Sequence, residues 1–194
     1  TLQAGAEVQF VDCNRSDLCI SFEDMKAKAE KYKPSAIWVV HIDGHLAIEI
    51  DKIADYCRKN NIILLEDCAH AAGASWNGKK PGGWGDAGFY SFYATKTITT
   101  GEGGMLVTKH KDLLEHAKKF RNYGKFDYKV RGLNYRITEF SAAIGAIEID
   151  RLKDIVDFKN DYAQKLDTMY GNRVKLPKGM ISGYYKYIVF DPIE

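Results

Sequence analysis

Residues 62–67 read Ile-Ile-Leu-Leu-Glu-Asp, an apolar run that ends in two carboxylates. Four consecutive apolar residues are typical of a strand that a parallel sheet buries on both faces. A strand at 62–65 places Glu66 and Asp67 just past its carboxyl end. Ligands in open α/β sheets bind beyond the carboxyl ends of the strands. This stretch therefore predicts both the fold class and the place of a site.

The segments before this run alternate between strand and helix. The predicted elements are strands at 8–12 and 36–42 and helices at 22–31 and 47–59. Ser21 is placed to cap the first helix, and Asp24 to complete a capping-box-like pair. The second helix has apolar residues at the spacing of one helical face. A β-α-β-α-β series implies right-handed crossovers and an α/β sheet with helices on its faces.

The second part of the chain is organised differently. The predicted elements are a loop at 76–86, strands at 87–93 and 104–109, a helix at 111–122, a basic aromatic loop at 123–135, and a long amphipathic helix from about Thr138 past Leu152. We expect residues 1–157 to be part of a large domain and residues 158–194 to begin a smaller one. Both ends look cut, so we expect an internal piece of a longer protein.

Composition argues against several classes of protein. The chain has 194 residues, of which 45% are hydrophobic and 28% charged, as in ordinary globular proteins. A formal net charge of +2 gives no reason to expect a nucleic-acid partner. No apolar run approaches the length of a membrane span, and no secretory signal is visible. The four cysteines form no Cys-x-x-Cys pair, which favours reduced thiols in a cytoplasmic protein.

Lys96 is a candidate for covalent chemistry. It follows a predicted strand in Ser91-Phe92-Tyr93-Ala94-Thr95-Lys96 and precedes the glycine-rich turn at 101–104. An aldehyde cofactor needs a neutral amine, and an unperturbed lysine is neutral in only roughly one molecule in a thousand near pH 7. Burial or a cationic neighbour increases that fraction, and a turn of this kind can provide both. The alternative is an ordinary surface lysine, which position alone favours.

Three further side chains could act with a cofactor. Asp67 could hold a pyridine nitrogen protonated, because an ion pair at about 4 Å is worth roughly 4 kcal/mol at an effective dielectric near 20; the alternative is a helix N-cap. His70 lies three residues later, so on a helical turn it faces the same way as Asp67, and it could stack on a flat ring or only pack. The Ser91 hydroxyl could bind a phosphate or bond locally.

Metal and nicotinamide sites have less support. His41, Asp43 and His45 would share one face of a straight strand and could hold a metal. Gly44 indicates that the strand has ended by then, so we expect no metal site there or at Asp67 and His70. The turn at 101–104 is neither a Walker loop nor a dinucleotide fingerprint, so it does not indicate a nicotinamide cofactor.

Taken together, five stretches resemble the DegT/StrS family of sugar aminotransferases, which depend on pyridoxal 5'-phosphate (PLP). They are residues 5–12, 66–74 (Glu-Asp-Cys-Ala-His-Ala-Ala-Gly-Ala), 85–92, 94–104 (Ala-Thr-Lys-Thr-Ile-Thr-Thr-Gly-Glu-Gly-Gly) and 132–136. The resemblance runs to about Leu152, with a weaker continuation. It implies the large domain of the fold type I PLP-dependent transferases, a mostly parallel sheet flanked by helices, and a homodimer.

The resemblance also implies roles for particular residues. Lys96 is similar to the lysine that binds PLP covalently, Asp67 to the partner of the pyridine nitrogen, and His70 to a residue that packs against or bonds to the cofactor. Ser91 resembles the phosphate-binding hydroxyl, and Asn134 the residue donated to the neighbouring subunit's phosphate site. The family's N-terminal portion and the distal part of its small domain lie outside this sequence. We therefore expect this piece alone to bind PLP poorly or not at all.

The activity implied by the resemblance is amino transfer from an amino acid, usually glutamate, to a keto group of a nucleotide-linked sugar. Such reactions serve amino-sugar or cell-surface polysaccharide biosynthesis. One alternative is a related PLP-dependent sugar dehydratase, in which a histidine replaces the lysine, so Lys96 argues against it. The other is a PLP-fold regulatory or scaffold protein without catalysis, which the presence of Lys96, Asp67 and Ser91 disfavours.

Overall fold

A computed structural model describes residues 2–190 and is built around a four-stranded sheet. Its strands are β1 (Ala36–Val40), β2 (Ile63–Asp67), β4 (Ala87–Ser91) and β5 (Gly104–Thr108), and the short strands β3 (Ser75–Trp76) and β6 (Met180–Ile181) form an antiparallel pair. The spatial order is β1-β2-β4-β5, with the first three strands parallel and β5 antiparallel to β4. The helices are α1 (Phe22–Tyr32), α2 (Ile50–Lys59), α3 (Lys111–Phe120) and α4 (Glu139–Asp167). The predicted α/β class with a mostly parallel sheet is confirmed.

The main core lies between α1, α2 and one face of the sheet. Its buried members include Met25 and Ala29 of α1, Ile50, Ile53, Ala54 and Cys57 of α2, Ile37 and Val39 of β1, and Leu64 of β2. The apolar face predicted for the second helix is thus the face that packs. Burying each of its isoleucines stabilises the fold by about 1.5–3 kcal/mol.

The prediction that 62–65 is buried on both faces is wrong for the described part of the chain. Burial alternates along β1 and β2, and Trp38 and Ile63 are 47% and 51% exposed. The reason is that α1 and α2 pack on the opposite face, which carries Ile37, Val39 and Leu64. The β2 strand also extends to Asp67, so Glu66 and Asp67 belong to the strand itself.

Near the start of the chain, one strand prediction fails and one capping prediction holds in part. No strand forms at 8–12, where Phe10 is 84% exposed and no segment of residues 2–190 forms a ladder with this run. Ser21 caps α1, since its Oγ accepts the Asp24 N–H at 3.4 Å. The Asp24 carboxylate accepts the N–H of Asp12 at 2.7 Å instead of that of Ser21, so the reciprocal half of the capping box is replaced.

The second half supports the turn between β4 and β5. Helix α4 begins after Thr138, whose Oγ1 accepts the Ser141 N–H at 3.1 Å. Its Leu152 and Ile155 pack against the buried Phe92 and Ile98 of that turn. Across residues 2–190, no helix combines the length and apolar composition that crossing a bilayer requires. Met180, at the start of β6, joins the main core, while the domain boundary expected after residue 157 stays a prediction.

Candidate active site

Asp67 is the last residue of β2 and faces away from the main core. In the sheet register it lies beside Val40 and Phe89, whereas the preceding Glu66 lies beside Val39 on the core side. Its Oδ1 accepts the N–H of Ala69 at 2.9 Å, which closes a turn. No helix follows, so both the N-cap alternative and the helical placement of His70 are wrong. Within the described chain, Oδ2 accepts no hydrogen bond, which leaves one carboxylate oxygen available to a ligand.

His70 lies in the turn after Asp67 and is partly buried. Its Nδ1 accepts the N–H of Asp43 at 3.3 Å, so the proton of the neutral ring is on Nε2. Burial and then the nearby charge of Lys96 lower the pKa of His70 below its ordinary value, against the opposing effect of Asp43 and Asp67. A neutral imidazole with an N–H donor on Nε2 follows.

Lys96 lies in the turn between β4 and β5, which is held by backbone bonds from Phe92 N to Gly103 O and from Thr100 N to Phe92 O, both 2.9 Å. The side chain is half-buried, and Nζ lies 4.8 Å from the centroid of the Tyr185 ring. No salt bridge to Lys96 occurs among residues 2–190. The amine is therefore held on an aromatic face without a carboxylate partner.

Ser91 and Asn134 lie in different surroundings. Ser91 ends β4, and its Oγ accepts the Tyr93 N–H at 3.3 Å, a local bond that leaves the hydroxyl proton to donate elsewhere. Asn134 is exposed, and its Oδ1 accepts the Arg136 N–H at 3.4 Å. Because Thr138 caps α4, the alternative that Asn134 caps this helix is wrong. None of the hydrogen bonds described for the chain joins Asn134 to the other candidates.

Sequence reasoning missed Tyr185. Its ring stacks on His70, with centroids 4.2 Å apart, and its hydroxyl lies 3.1 Å from Thr95 Oγ1. Thr95 and Tyr185 are 90 positions apart in the sequence, and Tyr185 falls in the segment expected to begin a smaller domain. No local pattern near Tyr185 indicates this contact, which only the folded chain brings about.

Sequence reasoning also missed the role of Glu66. This fully buried carboxylate accepts four hydrogen bonds, from His41 Nε2 at 2.9 Å, Gly82 N at 2.8 Å, Trp84 N at 2.7 Å and Gly85 N at 2.5 Å. Burial raises the pKa of Glu66, but the His41 bond and the backbone bonds outweigh it, so the pKa is lowered overall. Glu66 thereby ties the residue after β1 to the turn before β4.

His41, Asp43 and His45 do not converge. Each is buried, yet His41 bonds to Glu66, while His45 Nε2 lies 3.0 Å from the Asp17 carbonyl oxygen. Two other trios of potential ligand atoms lie close together: Asp17, Cys19 and His45, and His41, Glu66 and Cys68. Both Asp17 oxygens accept backbone N–H groups, and Glu66 accepts four bonds, so hydrogen bonding accounts for these carboxylates.

The candidate side chains fit PLP chemically. Asp67 offers a carboxylate oxygen to a ring N–H, and His70 offers the Nε2–H to an oxygen acceptor. Lys96 offers an amine without a salt bridge to an aldehyde, and Ser91 offers a hydroxyl proton to a phosphate. One negative group, one lysine and two neutral donors complement a cationic ring with an aldehyde and a phosphate.

Comparisons with known proteins place the chain in a family. The profile of the DegT/DnrJ/EryC1/StrS aminotransferase family matches residues 1–178. A GDP-perosamine synthase from Vibrio cholerae is 37% identical over 168 residues, which are 84% of this chain and 45% of that protein. Another from Escherichia coli O157:H7 is 33% identical over 188 residues, 94% of this chain and 51% of that one.

The structure of a known aminotransferase is also similar to that of this chain. The aminotransferase TlmJ from Streptoalloteichus hindustanus superimposes with a TM-score of 0.87 at 30% identity, over 96% of this chain and 53% of that chain. This chain spans about half the length of the curated relatives it matches. The resemblance predicted from the five sequence stretches is confirmed. The chain belongs to the DegT/DnrJ/EryC1/StrS aminotransferase family.

Proposed function

We propose that this chain is the lysine-bearing part of a PLP-dependent aminotransferase. The enzyme moves an amino group from an amino acid, with glutamate as the expected donor, to a keto group of a nucleotide-linked sugar. The observation that carries the proposal is the meeting of Lys96 and His70 on Tyr185, beside Asp67 at the end of β2. Relatives named GDP-perosamine synthase support a sugar substrate and a place in amino-sugar or cell-surface polysaccharide biosynthesis.

Asp67, His70 and Ser91 hold and polarise the cofactor in this proposal. When bound, PLP supplies the electron sink for the reaction. Asp67 Oδ2 would accept the pyridine N–H, and its charge would keep that nitrogen protonated, since an ion pair at about 4 Å is worth roughly 4 kcal/mol. Neutral His70 would donate its Nε2–H to the cofactor, and the Ser91 hydroxyl would donate to the phosphate. Placement and charge are thus the contributions of these three side chains.

Lys96 has two tasks. Its Nζ would bind the cofactor aldehyde covalently, with loss of water. Once an amino-acid donor has displaced it, the free amine would take a proton from the substrate carbon and deliver it to a carbon of the cofactor. A flexible four-carbon stem suits both tasks, because the same nitrogen must act at two positions. The dehydratase and scaffold alternatives gain no support. The lysine, carboxylate and hydroxyl that amino transfer would use are all present, on adjacent elements, as Lys96, Asp67 and Ser91.

The proposal extends to the assembly. We expect a cytoplasmic homodimer in which Asn134 of each subunit reaches the phosphate site of the other. The exposed position of Asn134, with no bond to the other candidates in its own described chain, supports this arrangement. Residues from 158 onward are proposed to lead into the smaller domain of the complete protein.

The experiment that tests the function is Lys96→Ala in the complete protein. We expect glutamate-dependent turnover to fall by about a thousandfold or more, because the variant loses both the covalent anchor and the proton carrier. Borohydride reduction followed by peptide mass spectrometry should find the cofactor on Lys96 of the wild type. Lys26→Ala, on the exposed side of α1, is the matched control and should keep full activity. Wild-type turnover in Lys96→Ala would contradict the proposal.

A further inference from the structure

The segment 183–186 is fixed against the site by backbone contacts. Gly183 N donates to Gly44 O at 2.8 Å, and Lys186 N donates to Asp43 O at 2.9 Å. A side chain at Gly44 would lie only 2.6 Å from Tyr184 N, so the close approach depends on this glycine. The turn at 43–44 thus sets the position of Tyr185, and the same turn donates the Asp43 N–H to His70.

Tyr185 contacts three parts of the site from this position, besides the neighbouring Lys186, whose Nζ lies 5.7 Å from the ring centroid. The ring stacks on His70 at 4.2 Å with planes 29° apart, and Lys96 Nζ lies 4.8 Å from its centroid. Its hydroxyl lies 3.1 Å from Thr95 Oγ1, the residue before Lys96. One side chain therefore links the turn that carries Lys96 to the turn that carries His70.

We propose that Tyr185 is a positioning residue for Lys96, an inference that rests on the proposed function. The ring face contacts Lys96 Nζ and keeps the side chain directed at the space beside His70. A lysine that is already placed loses less rotamer freedom when its nitrogen bonds to the aldehyde and water leaves. The ring carries this effect, and the hydroxyl bond to Thr95 is secondary.

A packing role alone would produce a different pattern of variants. Tyr184 lies in the same segment and is also half-buried, but its ring stacks on Tyr187 at 6.2 Å. Among residues 2–190 it makes no aromatic contact with His70 or Lys96. Tyr184→Leu therefore removes the same atoms from the same segment without touching the Lys96 contact, and is the matched control.

The test measures PLP binding by the complete protein rather than turnover. The cofactor is removed, PLP is titrated back, and the absorbance of the lysine-bound form gives the concentration at half saturation. We expect Tyr185→Leu to raise this concentration about tenfold, because a lysine that the ring no longer holds gives up more rotamer freedom when it bonds to the aldehyde. Tyr185→Phe, which keeps the ring, and Tyr184→Leu should both stay within about twofold of the wild type.

Three results overturn the inference. The first is that Tyr185→Leu binds PLP like the wild type, the second that Phe and Leu at 185 are equally weak, and the third that Tyr184→Leu is as weak as Tyr185→Leu. Any one of them removes the role of the ring. Borohydride trapping separates this failure from failure of the function. If the cofactor is trapped at Lys96 of the wild type and Tyr185→Leu binds PLP as tightly as the wild type, only the positioning role is contradicted. If no cofactor is trapped at Lys96 of the wild type, both the proposed function and the role of Tyr185 are contradicted.

Discussion

Adjacent carboxylates on β2 lie in different surroundings. Successive side chains of a strand point to opposite faces, so Glu66 enters the core side while Asp67 faces the candidate site. Glu66 is saturated by four donors, whereas Asp67 has one oxygen without a hydrogen bond in the described structure. The same chemical group is thus structural at one position and available to a ligand at the next.

The charge of Asp67 leads to a prediction on activity. Asp67→Asn should lower turnover by up to about a thousandfold, because the amide cannot provide the ion pair worth roughly 4 kcal/mol. Asp67→Glu keeps the charge and should cost much less. Asparagine can still accept the Ala69 N–H, so the turn survives and serves as the internal control. Rates for Asp67→Asn close to those of the wild type would show that Asp67 only closes the turn.

Sequence reasoning reached some residues of the site and not others. Lys96 and Asp67 follow apolar strand runs, and the edge of a parallel sheet gathers such positions. The contacts of Tyr185 and the four donors around Glu66 join segments that are distant in the sequence, and no local sequence pattern predicts such contacts. Ser91 makes the local bond that the sequence allowed, and its role toward a phosphate stays a prediction.

At the scale of elements, the periodicity of the sequence predicted which segments form helices and strands better than it predicted which segments pack against them. The apolar face of α2 and the caps Ser21 and Thr138 follow from local rules and were predictable. The strand expected at 8–12 needs a neighbouring strand, and none of the described segments supplies one. Burial on both faces of β2 likewise needs a second layer, which α1 and α2 do not provide.

Glu66 connects three elements, and its removal should lower stability. In Glu66→Gln, one oxygen becomes an NH₂ group that faces two N–H donors, so two buried donors lose their acceptor. We expect the free energy of unfolding to fall by about 3 kcal/mol, measured by urea denaturation. Glu115→Gln, an exposed residue of α3, is the control and should leave the unfolding midpoint unchanged.

The same residue gives a pH dependence. The folded pKa of Glu66 lies below its ordinary value of 4.5, so its contribution to stability is complete above pH 4.5 and is lost as the pH falls through the folded value. Wild type should therefore lose stability toward acid faster than Glu66→Gln. The difference between their unfolding free energies should be constant near pH 7 and shrink below pH 4.5. A difference that is independent of pH would show that the ionised form of Glu66 is not what stabilises the fold.

At the scale of the whole molecule, apolar surface is concentrated on α4. Phe140, Ile144 and Ile147 follow helical spacing and are exposed, with Phe140 at 86%. Only Val156 and Ala163 of this 29-residue helix are buried. A contiguous apolar stripe of this kind is typical of a surface that another polypeptide covers. The stripe lies at the start of α4, shortly after the loop that carries Asn134, so both features favour a subunit interface there.

The last prediction tests whether the sites are shared between subunits. Lys96→Ala and Asn134→Ala proteins are each expected to be impaired, and are mixed under conditions that exchange subunits. In a mixed dimer with shared sites, one site carries both defects and the other carries neither, because two-fold symmetry places each Asn134 in the opposite site. Half of the dimers are then mixed and half of their sites work, so activity should return to about a quarter of the wild-type value.

A second mixture provides the control. Lys96 and Asp67 lie on adjacent elements of one chain, so we expect both on the same subunit's side of the site. Mixing Lys96→Ala with Asp67→Asn therefore leaves one defect in each site of the mixed dimer, and activity should not return. Exchange is verified by native mass spectrometry with subunits of different mass. If mixed dimers form and the Asn134→Ala mixture is no more active than this control, Asn134 does not act across the interface.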